Sequence, residues 1–431
     1  MATGLRVAVV GGGWAGLAAA VEATARGHQV TLFEMAPQPG GRARSLGAEA
    51  PVAAGDLRLD NGQHLLIGAY SATLALMRQV GVDPEQVLLR RPLELLDAQG
   101  QGLRLRAGSA LIAFALGVWT LRHWSLSERW ALNRAALAWL LRRFRCDPAL
   151  TVGELCAALP PRVRDEFIDP LCVAALNTPA DAASAQVFLR VLHDALFSGP
   201  GASDLLIPRL PLADLLPEPA CRWLAAQGAR VQTGRRVQSV DQAGNTWLVD
   251  GQPFDRVVLA SSPAEAARLT QHLAPQWSAL AASLTYEPIV TAYLHAPGAH
   301  LVAPMIALPP APDAPAQFAF DHGALGLNQG IFAFVVSGAA PWVARGTAAT
   351  TEALLQQARK ALRGVPHGSI QVLKVVAEKR ATLRCVPHLR RPPAAIAPGL
   401  TAAGDHIAGP YPSTLEGAVR SGRAAVDLLG L

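Results

Sequence analysis

The first part of the chain alternates between apolar runs and short breaks rich in glycine or polar residues. Residues 5–10 form a short run that is apolar except for Arg6, which is typical of a parallel strand buried on both faces. A helical pattern follows over residues 17–26, and Gly27 stands where a helix commonly ends. A second apolar run at residues 29–33 completes a predicted strand–helix–strand unit.

Farther along, the pattern changes from helical to alternating. Residues 71–145 and 152–197 are rich in Leu, Ala and Trp and predict helices. Four later segments alternate in the manner of strands: 289–295, 317–321, 331–337 and 370–382. A helical pattern over residues 347–362 interrupts them. This order predicts an antiparallel sheet backed by helices. Its apolar side chains would suit a long hydrocarbon ligand, with ordinary core packing as the alternative.

Length and composition limit the classes of protein to which the sequence can belong. At 431 residues the chain favours two closely packed domains. Hydrophobic residues make up 51% and charged residues 16%, yet no run reaches the roughly 18 apolar residues of a membrane span.

Much of the net charge of +6 lies in residues 122–145, near Trp119, Trp124, Trp130 and Trp139. No recognition module for nucleic acid accompanies this charge. A basic, Trp-bearing helical pair suits an anionic membrane surface, and a solvated helix face is the open alternative.

The five cysteines lie far apart, without CxxC or metal-ligand spacing. This pattern predicts buried thiols in a reducing compartment and no metal site. The apolar run after Arg6 is not expected to be a signal peptide, because ordered glycines and a second strand follow it. The expected location is the cytoplasm.

The turn at residues 11–16 has the sequence GGGWAG, which places GxGxxG between a strand and a helix. Gly11 permits the tight turn, Gly13 lets backbone approach a pyrophosphate, and Gly16 lets helix and strand pack closely. Trp14 and Ala15 belong to the helix start, whose free amides attract a diphosphate. In this context the motif predicts a dinucleotide site.

A second glycine pair follows the acid that ends the second strand. Glu34 is placed to accept both ribose hydroxyls, which suits FAD or NAD and disfavours the 2′-phosphate of NADP. Residues 40–43, GGRA, complete an ExxxxxGGR pattern that resembles the flavin amine oxidase and phytoene desaturase superfamily. The resemblance implies that Gly41 and Arg42 meet the pyrophosphate and ribityl region of FAD. Arginine suits that place because its planar fork binds phosphate oxygens in pairs.

The closing motif lies near the other end of the sequence. Residues 400–405, LTAAGD, predict a strand that ends in a carboxylate, and residues 413–418, STLEGA, predict a capped helix start. The same resemblance implies that Gly404 and Asp405 bind the ribityl chain, and that the helix N-terminus faces the flavin pyrimidine ring. That helix end would stabilise negative charge on reduced flavin. The helix residues expected there are Leu415, Glu416, Gly417 and Ala418. Relatives often have an aromatic residue after the aspartate, whereas this sequence has His406.

Residues 234–240 and 257–262 predict strands that return to the first unit, and the resemblance implies that the Val237 backbone pairs with adenine. The expected fold is α/β and amine-oxidase-like, with a Rossmann-like FAD/NAD(P)-binding domain and an inserted α+β substrate domain. The FAD domain is assigned to residues 1–70, 205–265 and 395–431. The substrate domain is assigned to residues 71–204 and 266–394. The sequence holds no second GxGxxG, so electrons must come from the substrate, a free reductant or a partner.

Residues 60–64, DNGQH, form the loop most suggestive of chemistry. The superfamily brings a glycine-containing loop over the isoalloxazine, which implies a cofactor contact for Gly62 and Gln63. His64 is the candidate catalytic residue, because imidazole donates or shuttles a proton near neutral pH. A purely structural hydrogen bond is the alternative for this histidine.

Five stretches narrow the resemblance further: 60–70, 170–179, 183–192, 378–385 and 411–422. With them the sequence resembles, end to end, the squalene-associated FAD-dependent desaturases, now regarded as hydroxysqualene dehydroxylases of bacterial hopanoid biosynthesis. The resemblance implies reductive removal of an allylic hydroxyl. An acid would protonate the hydroxyl, reduced flavin would deliver hydride to the allylic cation, and an apolar pocket would exclude water. His64 is the first candidate acid, with Lys379 and Arg380 as weaker ones.

Other functions stay open at this point. An oxidative carotenoid desaturase of the phytoene type would share every cofactor residue named above. A non-catalytic prenyl-binding protein is disfavoured by the complete glycine set together with Glu34, Arg42 and Asp405. The expected partners are a lipophilic C30 isoprenoid and an external electron donor. Peripheral contact with the inner face of the membrane is expected through residues 107–141.

Overall fold

The computed structural model describes residues 4–46, 57–105, 110–197, 199–309, 311–365 and 369–430. The strands are β1 Arg6–Val10, β2 Gln29–Phe33, β3 Leu66–Ile67, β4 Leu88–Arg91, β5 Glu94–Leu96, β6 Gly102–Arg104, β7 Leu205–Pro208, β8 Arg230–Gln232, β9 Val240–Ala243, β10 Thr246–Val249, β11 Gln252–Phe254, β12 Arg256–Leu259, β13 Tyr286–His295, β14 Met305–Ala307, β15 Phe318–Asp321, β16 Ile331–Val336, β17 Gln371–Leu383, β18 Ala395–Ala397 and β19 Leu400–Ala402.

The helices surround these strands. They are α1 Trp14–Ala25, α2 Ser71–Gln79, α3 Pro84–Val87, α4 Ala110–Val118, α5 Leu126–Leu141, α6 Val152–Leu155, α7 Pro161–Val163, α8 Asp169–Leu176, α9 Ala185–Phe197, α10 Leu212–Leu215, α11 Pro217–Ala226, α12 Pro263–Thr270, α13 Pro275–Ala282, α14 Ala340–Arg345, α15 Thr347–Ala361 and α16 Leu415–Leu428. A wider π-helical turn over Arg164–Ile168 joins α7 to α8.

A six-stranded sheet unites distant parts of the chain in the order β18-β19-β12-β1-β2-β8. Its neighbours run parallel except β18 and β19, which are antiparallel. Val7 of the central strand β1 aligns with Val30 on one side and with Arg256 on the other. The four apolar residues of β1 are buried, as the sequence predicts, and Arg6 at its start is exposed. The N-terminal strand–helix–strand unit is therefore confirmed.

Helices α1 and α16 cross at very close range beside this sheet. A Cβ atom added at Gly422 of α16 would lie 2.2 Å from the Ala15 carbonyl oxygen and 3.0 Å from the Ala18 Cβ. Only glycine at position 422 lets the two helices meet at this distance. The crossing fixes the last helix of the chain against the first turn of α1.

The second sheet is antiparallel and has the order β14-β15-β16-β13-β17. Strand β13 is central and pairs with β16 and β17 along its length. One apolar cluster joins this sheet to α15, and another joins it to β7 and to the residues around Leu59 and Leu65. The four predicted strands and the helix α15 are present, and the predicted fold class is confirmed. The domain boundaries stay a prediction.

One predicted helical stretch is wrong in part, because residues 88–104 form β4, β5 and β6. β4 pairs with β7, and β5 forms a hairpin with β6. The hairpin turn is made by Asp97, whose Oδ1 accepts the Gln99 and Gln101 amides, both at 2.9 Å. Gly100 in the same turn has a φ of +80°. The aspartate and the glycine of this turn therefore favour a hairpin over a helix here.

The strand predicted over residues 234–240 is also wrong. Gly234 has a φ of +68°, and its amide donates to the Ala36 carbonyl at 2.9 Å. The Arg235 amide donates to the Glu34 carbonyl at 2.8 Å. These amides bond to the chain after β2 instead of to a strand ladder, and the next strand, β9, begins at Val240.

Across the described ranges, no helix has both the length and the apolarity to cross a membrane. The five cysteines are free thiols; Cys156, Cys172 and Cys385 are buried, and Cys146 and Cys221 are partly exposed. Burial raises the pKa of Cys385 to about 11 and that of Cys221 to about 11, so both are neutral thiols at pH 7.

Candidate active site

The glycine turn between β1 and α1 is held under steric constraint. The Gly11 amide donates to the Phe33 carbonyl at 2.7 Å, and Gly11 has a φ of +112°. A Cβ at Gly11 would lie 2.4 Å from the Ala260 oxygen, and one at Gly16 would lie 1.8 Å from the Gly11 oxygen. No side chain fits at either place. The turn therefore brings bare backbone to the carboxyl edge of the parallel sheet, at the start of α1.

The second glycine pair lies directly on this turn. The Gly40 amide donates to the Gly12 carbonyl at 2.8 Å. A Cβ at Gly41 would come within 3.2 Å of the Gly13 Cα. Trp14, buried in the first turn of α1, donates its Nε1–H to the Ala43 carbonyl at 3.0 Å. The two loops thus form a backbone cradle without side chains, and the indole of Trp14 holds them together.

Glu34 is buried at the end of β2 and is already hydrogen-bonded to backbone. Its Oε2 accepts the Gly12 amide at 2.6 Å, and its Oε1 accepts the Ala36 amide at 2.7 Å. Each carboxylate oxygen retains a second lone pair for a ribose hydroxyl. The sequence pointed to the ribose contact alone and missed that Glu34 also shapes the glycine turn.

Arg42 reaches from the cradle to the C-terminal motif. Its Nη1 donates to the Ala381 carbonyl at 2.6 Å and to the Arg380 carbonyl at 3.2 Å, and its Nη2 donates to Asp405. Burial by itself would raise the pKa of the Asp405 carboxyl, but the Arg42 charge and His406 hold that pKa well below its usual range. Asp405 is therefore an anion at every pH at which the protein would work.

The residue after Asp405 departs from the superfamily pattern, and the structure shows how it is accommodated. A Cβ at Gly404 would lie 2.4 Å from two atoms of the His406 ring. The glycine thus leaves room for the imidazole, which is buried. The His406 Nε2 has no hydrogen-bond partner among the described residues. A bound polar group would satisfy it.

Helix α16 starts close to these groups and is capped by Thr414, whose Oγ1 accepts the Gly417 amide at 2.9 Å. A Cβ at Gly417 would lie 1.9 Å from the Tyr411 carbonyl oxygen, so the chain before the helix folds tightly over its first turn. The first amides of a helix have no acceptor within the helix. The sequence assigns residues 415–418 to the flavin, but the Gly417 and Ala418 amides bond to Thr414, so the amides of Leu415 and Glu416 are the ones left for a cofactor.

Glu416 behaves differently from the rest of that motif. Its Oε1 accepts the Ala72 amide at 3.0 Å and the Arg420 Nε–H at 2.7 Å. Its Oε2 accepts the Thr73 amide at 2.9 Å and the Thr73 hydroxyl at 2.8 Å. The carboxylate caps α2, so only the backbone of Glu416 is left for a cofactor. The sequence motif gave no sign of this role.

Val237 is buried in the segment that passes the end of β2. Its carbonyl accepts a hydrogen bond from Arg268 at 2.8 Å. The Arg235 guanidinium lies 5.2 Å from the centre of the Phe33 ring, over its face. These contacts fix the segment beside the end of β2, where the adenosine part of a cofactor bound to Glu34 would lie. The contact between the Val237 backbone and adenine stays a prediction.

The DNGQH loop connects the cradle to the antiparallel sheet. The Asn61 Nδ2 donates to the Arg42 carbonyl at 3.1 Å and to the Glu378 carboxylate of β17 at 3.0 Å. The Gln63 Oε1 accepts from the His322 Nε2 at 3.0 Å. Burial lowers the pKa of His322 to about 4, so this ring is neutral. The loop is thereby fixed at both ends across more than 250 residues of sequence.

Two ionisable side chains of this loop, Asp60 and His64, have pKa values shifted from their ordinary values. Burial raises the pKa of Asp60 to about 6, against the opposing effect of the Ser45 hydroxyl, which donates to its Oδ1 at 2.7 Å. The His64 Nδ1 lies 2.8 Å from the Gly62 carbonyl and donates to it. Desolvation and the Arg42 charge lower the pKa of His64 below 6.5. At neutral pH the Nε2 of His64 is therefore mainly an acceptor, and it becomes a donor when the ring is protonated.

An apolar cluster lies against the same loop. Leu57 and Leu59 before the loop pack with residues of β7, β13, β15 and β16, and Leu65 after it adds to them. Tyr293 of β13 is buried in this cluster and donates its hydroxyl to the Asp60 carbonyl at 3.0 Å. The Thr291 Oγ1 is buried with no hydrogen-bond partner among the described residues. It lies 3.6 Å from the Cβ position of Gly62.

The residues fit a long cofactor with a charged middle. The glycine cradle leaves room for a diphosphate, and Arg42 supplies a cation beside it. The unpaired atoms of His406 and Thr291 would gain partners from a polar ring system. Tyr293 and His322 were missed in the sequence, because their contacts with the loop span more than 230 residues and follow no local motif.

Comparison with known proteins gives matches along the whole chain. It is 29% identical to a hydroxysqualene dehydroxylase from Rhodopseudomonas palustris, over 98% of both chains. It is 26% identical to one from Sinorhizobium fredii, over 98% of this chain and 97% of that protein. A zeta-carotene desaturase from Zea mays is 38% identical over 79 residues, which cover 18% of this chain and 13% of that protein.

Solved structures show the same fold. An oxidoreductase from Methanosarcina mazei superimposes with a TM-score of 0.72 at 15% identity, over 98% of this chain and 100% of that one. A cyclohexylamine oxidase from Brevibacterium oxydans superimposes with a TM-score of 0.67 at 16% identity, over 99% and 98% of the two chains.

The family model of flavin-containing amine oxidoreductases matches residues 14–429, which hold nearly every group described above. This match confirms the predicted cofactor, FAD, and the prediction that the protein is an oxidoreductase. The chain therefore belongs to the family of flavin-containing amine oxidoreductases.

Proposed function

We propose that the protein is a FAD-dependent hydroxysqualene dehydroxylase, which converts hydroxysqualene to squalene in squalene and hopanoid biosynthesis. The observation that carries this proposal is the end-to-end similarity to hydroxysqualene dehydroxylases. Bound FAD, when reduced, supplies a hydride. In the overall reaction the C–O bond breaks, a C–H bond forms, the hydroxyl leaves as water with one added proton, and FAD is oxidised.

The apolar cluster beside the DNGQH loop supports a hydrocarbon substrate. Its members around the loop are aliphatic, such as Leu59 and Leu65, and Tyr293 uses its hydroxyl within the protein. Such a wall offers the substrate no nucleophile and keeps water away from a carbocation. Apolar walls on one side and the charged Arg42–Asp405 pair on the other suit a reaction between a hydrocarbon and FAD.

His64 is the residue to which we assign protonation of the leaving hydroxyl. The Gly62 carbonyl accepts the Nδ1–H and so orients the ring. Protonation then places the acidic proton on Nε2. The lowered pKa of His64 makes the imidazolium a stronger acid, although a less abundant one at neutral pH. Lys379 and Arg380 are exposed, and this makes them weaker candidates than His64.

The reductant is proposed to come from outside the chain. No second GxGxxG occurs in the sequence, so a bound nicotinamide partner has no site of that kind. A C30 isoprenoid is dissolved in lipid, so we also place the protein in the cytoplasm, in peripheral contact with the inner face of the membrane.

The experiment uses purified FAD-loaded protein, reduced with dithionite under argon and mixed with hydroxysqualene in detergent micelles. We expect squalene in a 1:1 ratio to the flavin that is reoxidised. Oxidised protein with phytoene is the parallel arm, because the local match to a zeta-carotene desaturase favours that alternative. Desaturated product from phytoene, without squalene from hydroxysqualene, would replace the dehydroxylase by a desaturase.

A further inference from the structure

Helices α4 and α5 turn apolar side chains outward as well as inward. Phe114, Val118 and Leu132 are buried in the helical core cluster. Six large apolar side chains on the outer faces are between 50% and 76% exposed: Ile112, Leu116, Leu126, Trp130, Leu137 and Leu141. On α5 they recur at intervals of four, seven and four residues, which places them on one side of the helix. Together with Trp119 we call them the α4–α5 surface.

Two tryptophans connect the α4 and α5 parts of the α4–α5 surface. Trp119, between the two helices, meets Trp130 of α5 edge to face, with ring centroids 5.8 Å apart. The Arg129 guanidinium lies 5.8 Å from the centre of the Trp119 ring. The other strongly exposed apolar side chains of the described residues, Met35, Leu210 and Leu428, lie elsewhere in the sequence. A cluster of this kind marks an interaction surface, whereas single exposed leucines do not.

The segment that carries the surface is strongly basic, although the Glu166 carboxylate lies beside it and accepts a hydrogen bond from Trp124 at 2.7 Å. Residues 119–145 contain six arginines and one glutamate, a net charge of +5 in a protein whose total is +6. Arg122, Arg134, Arg142 and Arg143 are exposed. The one acid, Glu128, accepts the Ser125 amide at 2.7 Å in the capping box of α5. An approaching anionic surface would therefore meet arginines around an apolar centre.

We propose that the α4–α5 surface docks the protein on an anionic phospholipid bilayer. Leucines and tryptophans enter the headgroup boundary, and the flanking arginines keep their guanidinium groups at the phosphates. A second copy of the chain is less well matched, because it would bring its own arginines against the arginines of this rim. The inference deepens the proposed function, since it says how a lipid-dissolved substrate would reach the enzyme.

The test is flotation of FAD-loaded protein with vesicles of phosphatidylcholine alone or with 30% phosphatidylglycerol. We expect at least tenfold stronger binding to the anionic vesicles, weakening as salt is added. The double variants Trp130→Glu/Leu137→Glu and Arg142→Glu/Arg143→Glu should each lose roughly tenfold or more in binding. Leu428→Glu and Arg222→Glu are matched controls at exposed positions outside the surface, and they should bind like the unchanged protein.

Two further measurements distinguish a failure of the docking proposal from a failure of the proposed function. Flavin absorbance and turnover in detergent micelles should be unchanged in the surface variants, so a missing activity speaks against the proposed function and not against the surface. Equal binding by variants and controls, or no binding by the unchanged protein, overturns the docking proposal. So does a dimer that dissociates in Trp130→Glu/Leu137→Glu without any lipid dependence, since the surface would then join two copies of the chain.

Discussion

Asp405, Asp60 and His64 lie around one site, yet burial has a different outcome for each. Arg42 outweighs burial at Asp405, and the carboxyl pKa falls. At Asp60 burial outweighs the Ser45 hydrogen bond, and the pKa rises to about 6. At His64 desolvation and the Arg42 charge act together and lower the pKa. The site therefore holds a fixed anion beside Arg42, an aspartate that titrates at about 6, and a histidine whose pKa is lowered.

Asp60→Asn should change how stability depends on pH. The unfolded aspartate has a pKa near 3.9, whereas the folded one titrates at about 6. Between these values the native state binds more protons, so stability falls as pH rises through the folded pKa, and the penalty is nearly complete at about pH 7. The variant lacks this penalty. Its free energy of unfolding relative to the unchanged protein should rise by about 1–2 kcal/mol from pH 4.5 to pH 7.

The measurement is chemical denaturation at both pH values, with Asp313→Asn as the matched change at an exposed aspartate. Asparagine retains an oxygen to accept from Ser45 and from the Leu212 amide, so the variant should fold. A constant difference between Asp60→Asn and the unchanged protein over this range would contradict the raised pKa.

His64 should control the pH dependence of the chemical step. Only the protonated ring offers an acidic Nε2–H, and its pKa is lowered. The single-turnover rate with reduced protein should therefore increase as pH falls below 6.5. His64→Ala should retain FAD, lose at least about tenfold of the rate, and lose this pH dependence. Asp60→Asn is the control that keeps the dependence. An unchanged profile in His64→Ala would remove His64 from the acid role.

At the scale of elements, the starts of two helices are joined by one side chain. Glu416 lies in the first turn of α16 and accepts the Ala72 and Thr73 amides of the first turn of α2. A buried carboxylate at a helix N-terminus is favoured by the helix dipole as well as by these bonds. The side chain thereby fixes the start of α16, whose amides lie at the candidate flavin site.

Glu416→Ala should lower the free energy of unfolding by about 2–4 kcal/mol, because it leaves the buried Thr73 amide, the partly buried Ala72 amide and Arg420 without their acceptor. Chemical denaturation of FAD-loaded protein measures this loss. Glu352→Ala, an exposed helical glutamate on α15, is the control and should cost less than about 1 kcal/mol. A loss no larger than that of Glu352→Ala would show that the cap contributes little.

The sequence predicted correctly the helices and strands whose formation depends on the local pattern of residues. The run before the glycine turn, the helix α1 and the strands of the antiparallel sheet follow from apolar periodicity. Residues 88–104 and 234–240 were predicted wrongly, since their structure depends on an aspartate turn and on backbone bonds to Glu34 and Ala36. In the site, the motifs pointed to Arg42, Asp405 and the DNGQH loop. They could not show that Glu416 caps α2 or that His322 holds Gln63, because both contacts join segments far apart in sequence.

At the scale of the whole molecule, the candidate cofactor site is assembled from distant parts of the chain. The cradle comes from residues 11–42, whereas Asp405 and α16 come from the last thirty residues, and β12 lies between them in the sheet. A ligand that bridges these parts binds the folded chain and not the unfolded one. Folding and cofactor binding are therefore coupled.

Added FAD should raise the melting temperature of cofactor-depleted protein by several degrees, since a ligand at about 100 times its Kd stabilises by about 2.7 kcal/mol. Asp405→Asn leaves Arg42 without its anion and should remove most of this increase. Asp313→Asn should retain all of it. Thermal melts with and without FAD measure the effect, and an equal increase in both variants would contradict the assignment of Asp405 to the cofactor.

The central claim is that a hydride from reduced FAD replaces the hydroxyl of hydroxysqualene. The most direct test is a single turnover of dithionite-reduced protein with hydroxysqualene in D₂O under argon, with the product analysed by mass spectrometry. The hydride position of reduced flavin exchanges with solvent, so we expect squalene carrying one deuterium at the carbon that had borne the hydroxyl. Absence of squalene, or squalene without deuterium while the flavin is reoxidised, would contradict the claim.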